Sequence, residues 1–270
     1  MDFKKILVIF LGVFIVIDIF LAVQVVFFNE TARDLTTPDT VLTELHNDNI
    51  SFTPPSTKHQ TGVYISGDFN TKYLKNEVKS IPDKAKFDDA EGTMTVKVSN
   101  PEVLGENLTQ AQKQISKLLK STKKVIAGKQ YVYDANMTKV ANTMPHSGHI
   151  LIYSQVLAGN REIMGVEGRI QFKLTSTYEV DEYTQSYIVN AQVLRDAAEV
   201  ISEQNALIGL YQYNELPNNG KVLWTKLAYT QLTTVEKDTI FVPTWVVAVE
   251  NSANTVSVLR VNAFDGSLMK

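Results

Sequence analysis

The chain of 270 residues contains no cysteine, which excludes disulfides, thiolate metal centres and a cysteine nucleophile. Glycine (13) and proline (8) are too sparse for a collagen-like or low-complexity chain. Excess basic charge is also missing: 26 Lys and Arg stand against 29 Asp and Glu, a formal net charge of −3. Proteins that grip nucleic acid through its phosphates are basic, so no nucleic-acid partner is expected. Motifs of catalysis are lacking too. There is no G-x-S-x-G, no H-E-x-x-H and no P-loop, so the chain lacks the familiar nucleophile elbow, zinc pair and phosphate cradle. His146 and His149 have H-x-x-H spacing, but no acid lies close enough in sequence to complete a metal site. Asp68, Asn70 and Lys72 alternate like a calcium loop without its glycine or terminal Glu, and Asp88, Asp89 and Glu91 read as a solvated acidic turn. Gly165-Val166-Glu167-Gly168 matches no motif and reads as a bulge before a strand. No enzyme activity, cofactor or metal is expected.

What is present is uneven. Ile6 to Phe28 is a run of 23 residues interrupted only by Asp18 and Gln24. At ~1.5 Å per residue it spans ~34 Å, enough to cross a ~30 Å hydrocarbon core. A cleaved signal peptide has a shorter apolar region of ~7–15 residues and a small-x-small site, which this stretch lacks. An uncleaved anchor is therefore expected. Lys4 and Lys5 precede it and Glu30, Arg33 and Asp34 follow it, so the positive-inside rule places residues 1–5 in the cytoplasm and residues 29–270 outside the cell membrane. Asp18 sits near the middle of the span, where an isolated charge costs at least ~2.5 kcal/mol. With Ala22 one turn further on, it is the candidate contact for a partner's transmembrane helix.

Residues 29–36 read as a stalk. Thr37-Pro38-Asp39 signals a helix start, with a capping hydroxyl, proline at the first helical position and an acid in the first turn. Val41, Leu42 and Leu45 provide its apolar face. Strand candidates follow at 62–66 and 93–98, with 72–91 unassigned between them. The clearest helix is 109–127. Thr109 and Gln112 suggest a capping box, Ala111, Ile115, Leu118, Leu119, Thr122 and Ile126 form the inner stripe, and Gly128 marks the stop. Its outer face carries Lys113, Lys117, Lys120 and Lys124, a candidate interaction surface for an anionic partner. From His149 the chain turns to strands, with clean alternation over 169–176 and a hairpin partner in 178–189. Ser202 caps a helix with inner residues Ala206, Leu207, Leu210 and Tyr211. Strands at 221–232, 240–249 and 255–263 follow, the second with Pro243, which suggests an edge or bulge. Asp265-Gly266 is a tight turn into a final strand. Strands and helices mix without βαβ alternation, so the expected class is α+β: an anchor (6–28) and two extracytoplasmic domains of antiparallel sheet on helices, 37–145 and 146–270.

Three stretches carry a family resemblance: Met1-Asp2-Phe3-Lys4-Lys5 through Ile17-Asp18-Ile19-Phe20-Leu21; Ser202 to Leu216, followed by the strand 221–232; and Val242-Pro243-Thr244-Trp245-Val246-Val247 through Val261-Asn262-Ala263-Phe264-Asp265-Gly266. In these the chain resembles the YycI (WalI) family, membrane-bound regulators of the YycG (WalK) sensor histidine kinase in low-GC Gram-positive bacteria. The last stretch also resembles PepSY-type modules, in which a P-x-W strand pairs with one ending in N-A-x-x-G. The resemblance implies a non-enzymatic protein acting with a YycH-like partner on the YycG/YycF (WalK/WalR) two-component system, which controls cell-wall metabolism, through transmembrane-helix and ectodomain contacts. An anchored ligand-binding or PepSY-like inhibitory module of the envelope is the alternative.

Overall fold

The computed structural model describes residues 13–15, 17, 18, 20, 21, 37–69, 72–121, 124–236 and 238–269. Two compact units are present, residues 1–49 and 50–270. In the first, residues 13–15, 17, 18, 20 and 21 are helical, and the rest of the expected anchor lies outside the described residues. Among the described residues no helix is long and apolar enough to cross a membrane. Helix α1 (Pro38–Asn47) starts at its proline as expected and buries Val41 and Leu45. Thr37 does not cap it; its hydroxyl instead meets that of Thr40 at 2.6 Å.

The second unit holds α2 (Lys72–Glu77), α3 (Leu108–Ser121), α4 (Ala135–Ala141), α5 (Glu203–Gln212) and two principal antiparallel sheets. This is the α+β class that the irregular mixture of elements predicts. The seven-stranded sheet runs Lys84–Asp88, Thr93–Lys97, Val180–Gln185, Arg169–Leu174, His149–Leu157, Tyr131–Tyr133, with Arg161–Glu162 paired to the end of His149–Leu157. The six-stranded sheet centres on Asp238–Glu250. Lys221–Val235 lines one edge of that strand along its whole length. Its other edge is shared by Ile65–Asp68, at residues 238–241, and Val256–Asn262, at residues 244–250.

Alternation decides which face meets which layer. In His149–Leu157, Leu151 and Tyr153 face α3 and join Ala111, Ile115, Leu119, Ile170 and Phe172 in one core. Ile152 points the other way and packs with Met137 of α4, Met164, Ala228 and Val246. The six-stranded sheet is thus laid against the back of the seven-stranded one. Trp245, beside Val246, faces away from that contact, and its indole N–H donates to the Ile201 carbonyl at 2.9 Å, just ahead of α5. Ser202 caps α5 as its sequence predicts, accepting from the Asn205 N–H at 3.1 Å. The helix buries Ala206, Leu207, Ile208 and Leu210, while Tyr211 of the expected stripe is only half-buried.

Two expectations are corrected. A boundary at residue 145 does not separate two domains. Tyr131–Tyr133 pairs with His149–Leu157, Thr93–Lys97 with Val180–Gln185, and Ile65–Asp68 with Asp238–Glu250, so both sheets draw strands from each side of it. Pro243 is not on an edge strand. Its carbonyl accepts from the Ala263 N–H at 2.9 Å, so its missing donor faces the same side, at the gap where the neighbouring strand changes from Ile65–Asp68 to Val256–Asn262. The Ala263 carbonyl that a donor at 243 would serve accepts from the Ile201 N–H at 2.8 Å instead, so this central strand tolerates proline here. Gly62 is what lets the chain pass the ring, since a Cβ there would stand 2.5 Å from the proline Cγ. The unassigned stretch 72–91 contains α2, a 3-10 turn (Val78–Ser80) and the strand Lys84–Asp88. The expected pairing at the chain's end is present: Thr244 lies opposite Asn262 and Trp245 opposite Val261, and Gly266 takes φ 74° in the turn.

Candidate interaction surfaces

Helix α3 presents the lysine face. Its cap differs from the expected box. Asn107 Oδ1 accepts from the Gln110 N–H at 3.0 Å, which places Thr109 inside the first turn, and the Gln112 amide donates to Ser116 Oγ at 2.9 Å instead. The helix ends at Ser121, and the left-handed residue after it is Ala127, ahead of Gly128. Ala111, Ile115 and Leu119 are buried. Lys113, Lys117 and Lys120 are exposed on the opposite side, and Lys124 is exposed beyond the helix end. Tyr153 and Tyr183 anchor this layer from below. The Tyr153 hydroxyl donates to the Gln112 carbonyl at 3.0 Å and the Tyr183 hydroxyl to the Lys124 carbonyl. Burial pushes the Tyr153 phenol up to about 12, and raises those of Tyr183 and Tyr131 as well. A cleft of about 60 Å³ between α3 and the sheet, lined among others by Ile115, Leu118 and Val180, is far below the ~300–1,000 Å³ of ligand pockets.

The turn Gly165–Gly168 is the second feature. It precedes Arg169–Leu174 as a turn rather than a bulge. It is tied across to the other sheet, because the Met164 N–H donates to the Tyr229 carbonyl at 2.9 Å. The Ser186 hydroxyl donates to the Val166 carbonyl. A cavity of about 290 Å³ opens between this turn and the six-stranded sheet, lined by Glu167, Thr230, Gln231 and Arg260, with Val166, Leu232, Gly165 and Met269 completing it. Arg169 is next to it in sequence. Burial lowers its guanidinium pKa, opposed by the charges of Asp134 and Glu167. The sequence signal for this cavity was slight: one acid between two glycines, and an arginine on a strand 93 positions later.

Asp18 is helical and exposed, whereas Ala22 lies outside the described residues. His149 stacks on Tyr178 at 4.8 Å, and His146 is in an exposed loop. Asp88 accepts from the Ala90 and Glu91 N–H groups, closing a turn. Among the described residues no three His, Asp or Glu side chains are grouped to hold a metal ion.

The model of the YycI protein family matches residues 30–264. The chain therefore belongs to the YycI family, a regulatory family associated with the YycG/YycF two-component system. Among curated proteins none matches it. Among solved structures, an uncharacterized protein from Eubacterium rectale is similar at 7% identity and TM-score 0.45, covering 82% of this chain and 89% of that one. The C-terminal domain of YpeB from Bacillus megaterium is similar at 14% identity and TM-score 0.39, covering 87% and 96%.

Proposed function

We propose that this chain is a non-enzymatic, single-pass membrane regulator that acts with a YycH-like protein to adjust the YycG (WalK) sensor histidine kinase and, through it, cell-wall metabolism. The observation that carries this reading is the family match across residues 30–264. The apolar run 6–28 supports the anchor, and Lys4 and Lys5 ahead of it support a cytoplasmic N-terminus. In this reading residues 29–270 are extracellular. The kinase's catalytic machinery is then on the far side of the membrane from the folded unit, so influence passes through helix packing and ectodomain contacts that favour one kinase state over another. Asp18 and Ala22 are the helix contact, and Lys113, Lys117, Lys120 and Lys124 the ectodomain face.

The test is affinity purification of the full-length protein from its native membrane in mild detergent, beside a version carrying an unrelated transmembrane helix. Recovery of the kinase and a YycH-like protein with the native anchor alone places recognition in the membrane. Recovery with both versions moves it to the ectodomain and removes the role given to Asp18. Recovery with neither refutes the regulatory reading.

A further inference from the structure

The six-stranded sheet covers only part of the back of the seven-stranded one. Ile150 and Ile152 lie under it, packed with Met137, Met164 and Val246. Further out, the strand register sets two rows of side chains on that face. Lys84, Lys97, Glu182 and Lys173 stand side by side across four strands, and Lys86, Thr95, Thr184 and Gln171 form the next row. The residues between the rows, Ala85, Val96, Tyr183 and Phe172, point the other way into the core under α3. All four lysines are exposed.

The acids around them are engaged elsewhere. Glu182 is taken by Lys173 at 2.8 Å. Asp88, at the end of the edge strand, accepts from the Ala90 and Glu91 N–H groups, and Asp83, just ahead of that strand, accepts from the Ser99 N–H at 2.9 Å. Among the described residues no ion pair within 4 Å involves Lys84, Lys86 or Lys97. Lysine on an edge strand discourages pairing with another chain, which accounts for Lys84 and Lys86. It does not account for Lys97. That residue is on the second strand, directly opposite Lys84, where like charges ~5 Å apart oppose the pairing of the strands. An anion lying over the two removes that opposition.

Size and spacing narrow the choice of occupant. Four strands ~4.8 Å apart and five residues long make an open face of about 250 Å², well below the ~800 Å² that each partner gives to a stable interface between folded proteins. A second copy of this chain docked by a two-fold axis would set lysine against lysine. The two rows are about 6.8 Å apart along the strand, which is also the interval between alternate side chains of an extended peptide. Carboxylates at positions i and i+2 of such a segment therefore match Lys84 and Lys86, with Lys97 sharing the first. Thr95, Thr184 and Gln171 supply hydroxyl and amide groups for its backbone.

We infer that the open back of the seven-stranded sheet, around Lys84, Lys86 and Lys97, takes an extended acidic segment of a partner protein with carboxylates at alternate positions. This goes beyond the regulatory reading and does not depend on it.

The test is fluorescence anisotropy of the full-length protein in non-ionic detergent with a labelled peptide of alternating glutamate and threonine. A peptide of the same composition with its glutamates in one block runs beside it. The alternating peptide is expected to bind saturably at low salt, to bind more tightly than the block peptide, and to weaken as salt rises. Lys84→Gln, Lys86→Gln and Lys97→Gln together are expected to lower its affinity about tenfold, with the urea midpoint nearly unchanged. Lys113→Gln with Lys120→Gln, on α3, should leave the affinity nearly as it was. Failure of the alternating peptide to bind overturns the inference, and so does binding that survives the triple substitution. Equal binding of the block peptide or of inorganic tripolyphosphate overturns it too, since either shows attraction by charge without regard to strand spacing. The peptide comparison uses only the unaltered chain and decides the matter even where a variant fails to fold.

Discussion

Asp134 is the residue whose removal most sharply tests the packing described above. It is 1% exposed and begins α4. Its Oδ1 accepts the Met137 N–H at 2.9 Å, and its Oδ2 accepts the hydroxyl of Ser154, also buried, at 2.9 Å. Ser154 lies opposite Arg169 in the sheet register, and Asp134 is the foremost charge favouring the Arg169 guanidinium. Asp134→Ala removes a helix cap, about 1 kcal/mol. It also strands a buried hydroxyl, about 1–3 kcal/mol. Together these amount to roughly 3 kcal/mol before any effect on Arg169, a large part of the ~5–15 kcal/mol that holds an ordinary domain together. Asp134→Asn keeps the Oδ1 cap and lets the Ser154 hydroxyl accept from the new amide, so about half that loss is expected, from the missing charge. Urea unfolding of the full chain, followed by the fluorescence of Trp224 and Trp245, reads both values. A double-mutant cycle with Ser154→Ala should return a coupling of about 1 kcal/mol. If Asp134→Ala stays within ~0.5 kcal/mol of the parent, or the cycle shows no coupling, the reasoning that this buried carboxylate organises the join between α4 and the sheet is wrong.

Gly148 takes φ 75°, and a Cβ there would run into the Leu174 carbonyl oxygen at the start of a ladder. Gly148→Ala is therefore expected to cost more than ~2 kcal/mol, a lowered Tm being the check. Tyr153 titrates at about 12 in the folded protein against 10.0 as a free phenol. Its contribution is thus complete below pH 10, where both states are neutral, and is lost as the pH rises from 10 towards 12, because the unfolded chain ionises first. Tyr131 and Tyr183 act in the same direction. In an alkaline titration the phenolate absorbance of these three should emerge with unfolding rather than before it. Lys113→Glu, Lys117→Glu and Lys120→Glu together, on exposed positions, should leave the urea midpoint nearly unchanged while reducing recovery of the kinase complex. Unchanged recovery at low salt would remove the lysine face from the interaction.

Local signals in the sequence were read well wherever the local physics also decided the outcome. Ser202 caps α5, Ile170, Phe172 and Leu174 alternate into the core, and Asp265-Gly266 makes its turn. What escaped was set by distant parts of the chain. Pro243 looks like an edge residue until the change of neighbour beside it is known, and that change depends on residues 65–68, some 175 positions earlier. The division at 145 failed for the same reason: Tyr131–Tyr133 looks like the end of one half but pairs into the other. Thr109 and Asn107 are both good caps by type, and the helix starts at Leu108 with Asn107 as its cap. The Glu167 cavity left only a slight signal, since its two charges come from a turn and from a strand 93 positions later.

The sharing of one edge of Asp238–Glu250 between Ile65–Asp68 and Val256–Asn262 has a consequence for synthesis. Residues 65–68 emerge from the ribosome long before residues 238–241, so the six-stranded sheet is without its central strand until late in synthesis, whereas every strand of the seven-stranded sheet lies within residues 84–185. Completion of the six-stranded sheet therefore follows that of the seven-stranded one, and its long-range pairings make it slow. A chain cut short before residue 238 leaves Ile65–Asp68 with Val189–Val193 as its strand neighbour and deprives the six-stranded sheet of its central strand.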